Sequence, residues 1–142
     1  MKRATVDYYH GAYGPTLRVD VRSALTLAKL RNLFADLAQG KKQEVDLCTL
    51  EWVKSLSSVR AILLRVLPVE REPYKTLELL STGLGGATFR WARYAEGWLE
   101  CAELLDGLSG PGHLYLTHAS IDDASVEVAF KEYPPQADSD DQ

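Results

Sequence analysis

TFRWAR at residues 88–93 repeats, in distorted form, TLRVDV at residues 16–21. Both read threonine, large apolar, arginine, large apolar. In an extended chain that alternation sends the arginine to one face of a sheet and its apolar neighbours to the other. The match invites a comparison of everything that flanks it, by hydrophobic period as well as identity. Upstream, TVDYY (5–9) answers TLELL (76–80) at an offset of 71 residues, with an acid, Asp7 or Glu78, at the same place. Downstream, LTLAKLRNLFADLAQG (25–40) answers EGWLECAELLDGLSG (96–110). There Leu27, Leu30, Leu33, Phe34 and Leu37 map onto Trp98, Cys101, Leu104, Leu105 and Leu108, which is helical spacing in both stretches. Gly40 and Gly110 are expected to end the two helices. EVDLCTL (44–50) then parallels HLYLTH (113–118), and RAILLRV (60–66) parallels VEVAFKE (126–132), all with the period of strands.

The expected fold is therefore α+β: two ββαββ repeats forming antiparallel sheet, with one helix per repeat packed on the same face. The first unit spans 1–70 and the second 71–133, packed together as a single domain. The proline-bearing PVEREPY (68–74) separates them, and the polar, acidic stretch 134–142 is expected to be a disordered tail. EWVKSLSS (51–58) reads as a loop, the longer counterpart of IDDAS (121–125). Alternation assigns Val6, Tyr8, Leu17, Val19, Val21, Val45, Leu47, Leu77, Leu79, Phe89, Trp91, Leu114, Leu116, Val126, Val128 and Phe130 to the core. The opposite face presents Asp7, Tyr9, Arg18, Asp20, Asp46, Cys48, Leu63, Arg65, Glu78, Leu80, Arg90, Ala92, Tyr115, Glu127 and Lys131. Its default reading is a solvated surface with cross-strand ion pairs.

With 142 residues, 46% apolar and 25% charged, the chain has the make-up of an ordinary globular domain. The most apolar stretch, AILLRVL (61–67), is short and broken by Arg65, so no membrane span is expected. MKRATVDYYHG meets Asp7 before any apolar core and does not read as a secretory signal. Two cysteines make neither a disulfide framework nor a zinc site, and a cytoplasmic protein is expected. The net charge of −4 conceals a division: residues 1–71 carry 12 Lys/Arg against 7 Asp/Glu, residues 72–142 carry 4 against 13. No basic stripe with interleaved aromatics appears, which argues against nucleic acid. The acidic half suits a cationic protein partner.

Signals for chemistry are few. GLGG (83–86) precedes a strand rather than a helix, so it reads as a hairpin turn and not a phosphate loop. His113 and His118 lie five apart, an odd spacing that in a regular strand sends the rings to opposite faces, so no metal site is expected there. Asp122 and Asp123 in IDDAS suit a turn. Cys101 falls among apolar helix positions and reads as an inert thiol. No serine-hydrolase, zinc-protease or nucleotide-binding motif occurs, so neither catalysis nor a cofactor is implied. On the second helix Glu96, Glu100 and Glu103 follow one face with Asp106 adjoining, where the first helix has Lys29 and Arg31.

A small acidic α+β chain with these features resembles, at the level of class, the immunity proteins that protect bacteria from polymorphic toxins. The resemblance implies a protein that neutralises a cognate, basic toxin domain by masking it. Glu96, Glu100, Glu103, Asp106, Asp122 and Asp123 form the expected contact set. Two alternatives stand beside this reading. One is a small enzyme or ligand-binding domain with a pocket between the repeats, drawing on His10, Cys101, His113 and His118. The other is an adaptor that homodimerises through an open strand edge.

Overall fold

The computed structural model describes residues 3–68 and 76–132. Most of PVEREPY, the boundary between the two expected units, and the acidic tail lie outside the described residues. In chain order the elements are β1 (Ala4–Gly11), β2 (Gly14–Val21), α1 (Ala24–Ala38), β3 (Glu44–Asp46), β4 (Val53–Ser55) and β5 (Val59–Val66). They continue as β6 (Leu77–Gly83), β7 (Gly86–Arg93), α2 (Ala95–Leu105), β8 (Gly112–Thr117) and β9 (Ser125–Phe130). The class is α+β.

The strands form two sheets, and each draws strands from both halves of the chain. The first runs β4-β1-β2-β9-β8 and the second β3-β5-β7-β6. Neither is purely antiparallel, which corrects the expectation from sequence. β2 pairs in parallel with β9, β5 with β7, and β1 with β4. Each sheet thus joins a hairpin from one half of the chain to a strand pair from the other. Alternation determines which face a side chain takes, and it carries no information about which strand lies alongside. Across the first sheet a core row runs Val6, Val19, Val128, Leu114, and across the second Leu77, Trp91, Leu64, Val45.

Both sheets and both helices feed one apolar cluster; of the residues assigned to the core by alternation, Tyr8, Val45, Leu79 and Leu114 are half-buried against its edge and the rest lie within it. α1 and α2 pack side by side. Phe34 stacks on Trp98 with ring centroids 5.5 Å apart and meets Trp91 edge-on at 5.6 Å. Tyr8 of the first sheet meets Phe89 of the second edge-on at 5.0 Å, tying the sheets together. The buried Trp98 satisfies its indole by donating Nε1–H to the Arg65 carbonyl at 3.1 Å.

α1 starts where Ser23 Oγ accepts the Thr26 amide at 3.1 Å, and it ends ahead of Gly40, whose φ of 75° suits the left-handed exit. α2 departs from expectation at its end: it stops at Leu105 with Asp106 as cap, well before Gly110. Its buried stripe is Trp98, Cys101, Ala102 and Leu105, while Leu104 is 43% exposed. Leu104 was matched to the buried Leu33, but α2 buries a narrower stripe than α1, which hides Leu33 and Phe34 together.

Two further corrections concern residues 44–58. The strand expected over 44–50 is three residues long, and Leu47–Thr49 turn as a 3-10 helix because the Asp46 carboxylate accepts both the Cys48 amide (3.0 Å) and the Ile62 amide (3.1 Å). The stretch read as a loop contains β4, which extends the first sheet beyond β1. GLGG is the β6–β7 turn, as its sequence implies. Gly86 there has φ +99°, and a Cβ would sit 2.7 Å from the Ser57 carbonyl oxygen, so only glycine fits.

Candidate functional site

The outer faces of the two sheets differ. On the second, Arg90 meets Glu78 at 3.0 Å and Arg65 meets Glu44 at 3.9 Å, all substantially exposed. That is the solvated, ion-paired surface expected by default. On the first, one row runs Asp7, Arg18, Glu127, Tyr115 and the next Thr5, Asp20, Ala129, His113. Here Asp20 and Glu127 are each only 2% exposed. Glu127 lies in the inner strand β9, with Arg18 and Tyr115 beside it on the flanking strands. Tyr9 Oη donates to Glu127 Oε1 at 3.3 Å, and the Arg18 guanidinium sits 5.2 Å above the Tyr9 ring. Leu63 takes the place opposite Arg90 that Glu127 takes opposite Arg18.

Next to Glu127 lies a second carboxylate. Lys131 leaves β9 in a left-handed conformation, φ 54°, its amide held by the Val21 carbonyl at 2.9 Å. The chain beyond it places Glu132 against His113, with Nδ1 2.7 Å from Oε1 and 2.8 Å from Oε2. The His113 pKa is raised above its ordinary 6.5, chiefly by that hydrogen bond and with Glu127 adding to it. Tyr9 and Tyr115 are raised above 10, first by burial and then by the charge of Glu127.

Of these groups His113 and Tyr115 line an open groove of about 520 Å³, together with Tyr13, His118 and Ser125. Tyr13 comes from the β1–β2 turn and the others from the second half of the chain. The two histidines share this groove, contrary to the expectation that odd spacing would separate them. A register shift between Tyr115 and Thr117 breaks the alternation of β8 against β9. The Tyr115 ring consequently lies between them, 5.6 Å from His113 and 6.0 Å from His118.

The acidic residues singled out from sequence divide into two groups. Glu96, Glu100 and Glu103 are exposed on α2, in one stripe with the half-exposed Leu99 and Leu104. Glu100 lies 3.9 Å from Arg93, whereas Glu96 and Glu103 form no ion pair among the described residues. Asp106 bridges to Arg31 of α1 through two contacts of 3.2 and 3.3 Å. Asp122, 9% exposed, accepts the Thr76 and Leu77 amides at 2.6 and 3.1 Å, and Asp123 accepts the Leu79 amide at 2.7 Å. Both carboxylates pin the start of β6.

Of the residues considered for a pocket, His113 and His118 line the groove and His10 and Cys101 do not. His10 tilts against Tyr8. Cys101 is fully buried on α2, its thiol pushed up to about 11 by burial against the opposing pull of Arg93, whose Nη1 lies 3.1 Å from Sγ. Such a thiol is not a nucleophile at neutral pH. Sequence reasoning missed Glu132 and Tyr13 altogether. It placed Glu127 on the correct face without foreseeing its burial; its position in an apolar strand between branched residues was the available signal.

Searches against protein-family models, curated proteins and solved structures return no match for this chain. Among the described residues no helix is long and apolar enough to cross a membrane.

Proposed function

We propose that this chain is a protein-binding inhibitor of the immunity class, which covers a basic toxin domain with the exposed face of α2. One observation carries the reading. Glu96, Leu99, Glu100, Glu103 and Leu104 recur at helical spacing along the side of α2 opposite its buried stripe. Like charges at that spacing cost a helix a few tenths of a kcal/mol per pair, roughly 0.2–0.5. Among the described residues only Arg93 offers local relief, and a cationic partner would supply the rest. The two leucines give such a contact apolar area to bury, and the surrounding carboxylates would steer association and set its specificity. Asp106 stands at the end of the stripe, already paired with Arg31. Asp122 and Asp123 hold β6 and are the weaker members of the expected contact set.

We infer also that the chain is an internal duplication whose halves exchange strand pairs. Every pairing in the set β1-β2-β9-β8 has its counterpart in β6-β7-β5-β3. The offset read from sequence recurs in the registers, since Val6 opposes Val19 as Leu77 opposes Trp91. In the last strand Leu64 answers Val128 instead of Phe130, a shift of two that keeps the face. On this reading the halves share a scaffold and differ in the acidic α2 stripe and in Glu127.

The experiment is co-purification with the product of the adjacent reading frame, repeated with Glu100→Lys and Glu103→Lys together. Binding by the wild type and its loss in the double variant support the proposal. Equal binding by both removes the α2 stripe, and no binding removes the immunity reading. The groove between Tyr13 and β8 favours a second reading, a small-molecule site between the halves.

A further inference from the structure

The geometry points to a binding site for a divalent ion of the zinc class, formed by His113, Glu127 and Glu132 on the outer face of the first sheet. A ring nitrogen of His113 and one carboxylate oxygen from each glutamate all lie within 4.8 Å of one another. In a tetrahedral site with metal–ligand bonds of about 2.0–2.2 Å the donors stand roughly 3.3–3.6 Å apart, so an inward rotation of about 1 Å brings the three around one ion. His113 and Glu132 are already in contact.

Three features distinguish this group from a chance cluster of acids. The donor set is mixed: an imidazole with two carboxylates suits zinc and its first-row neighbours, whereas magnesium and calcium prefer oxygen alone. Glu127 is almost fully buried in an inner strand, where a carboxylate is costly unless its charge is compensated. Arg18 stands opposite it across the β2–β9 pair, and a divalent ion would balance the further charge of Glu132. Finally, Tyr9 Oη donates to Glu127 Oε1, the outer-shell hydrogen bond that orients a carboxylate ligand. Three protein donors leave a fourth position free, and His113 borders the groove with Tyr115 and His118, so that position is available to water or a small anionic ligand.

The test is calorimetric titration of the full chain with zinc chloride in a non-chelating buffer, with metal content measured after desalting. The expected result is one equivalent bound. His113→Ala and Glu132→Gln, both at partly exposed positions, should each weaken it by at least about 10- to 100-fold, the loss that even an outer-shell partner produces. The pair His10→Ala and Cys48→Ser should leave it unchanged. Circular dichroism of each variant establishes that it is folded. Cobalt substitution gives an independent readout: visible d–d bands without a thiolate charge-transfer band are expected. Absence of stoichiometric zinc, undiminished binding by folded His113→Ala, or a thiolate band that places the ion at a cysteine would each overturn the site.

Discussion

Asp122→Ala removes the acceptor of two backbone amides at the start of β6. The carboxylate is 9% exposed and receives Thr76 N–H at 2.6 Å and Leu77 N–H at 3.1 Å. Hydrogen bonds to an ionised acceptor contribute about 1.5–3 kcal/mol each, and a buried donor left without a partner costs about 1–3 kcal/mol. Thr76 lies where water can partly replace the lost oxygen, while the Leu77 amide is enclosed, so the combined loss is about 3–5 kcal/mol. That is a large share of the roughly 5–15 kcal/mol that stabilises a domain. Asp122→Asn keeps an acceptor in place and should lose only about 1 kcal/mol. Urea unfolding of the three proteins, followed by tryptophan fluorescence, measures the difference, because Trp91 and Trp98 sit in the core. A loss below about 1 kcal/mol for Asp122→Ala would mean that β6 does not depend on this carboxylate.

Three further outcomes follow from the geometry. Gly86→Ala should destabilise by about 1–3 kcal/mol or more, since it combines a left-handed φ with a Cβ driven into the Ser57 carbonyl; thermal unfolding reads this, and an unchanged Tm would show that the turn adapts freely. Cys101, with its thiol pushed up to about 11, should resist iodoacetamide at pH 8 in the folded protein and react once unfolded, as mass spectrometry of the labelled peptide would show. In metal-free protein His113 should titrate above 6.5 and move down in Glu132→Gln, followed by NMR of the ring protons. Because the folded-state value is raised, the attraction to Glu132 contributes fully below about 6.5 and fades as pH rises through that raised value. The pair is partly exposed, so its effect on stability is small.

Much of the fold was legible because burial imposes periods on a chain. Most residues that alternation assigned to the core lie in it, with Tyr8, Val45, Leu79 and Leu114 half-buried at its edge, and α1 ends just ahead of Gly40 as expected. What local pattern could not show was strand neighbourhood. Nothing in GPTLRVDV distinguishes an antiparallel partner from the parallel β9 that it meets. The same limit hid β4, which is three residues long and pairs with β1. At the site, the rule that failed was regular alternation itself. One register shift in β8 put His113 and His118 on a common groove, and one left-handed residue, Lys131, carried Glu132 back to His113. Both are local departures from regular strand geometry that alternation does not encode. Asp122 and Asp123, read from sequence as turn residues bonding nearby amides, accept instead from amides of β6, far away along the chain, which no local pattern could show.

The most direct test of the α2 proposal locates the contact instead of only detecting it. Leucine methyl groups report on each surface separately: Leu99 and Leu104 lie in the acidic stripe, whereas Leu84 caps the β6–β7 turn and is fully exposed. On addition of the adjacent-frame protein to methyl-labelled chain, the methyl resonances of Leu99 and Leu104 should shift or broaden while those of Leu84 stay in place. Shifts at Leu84 with Leu99 and Leu104 unmoved would contradict the assignment of α2 as the binding face.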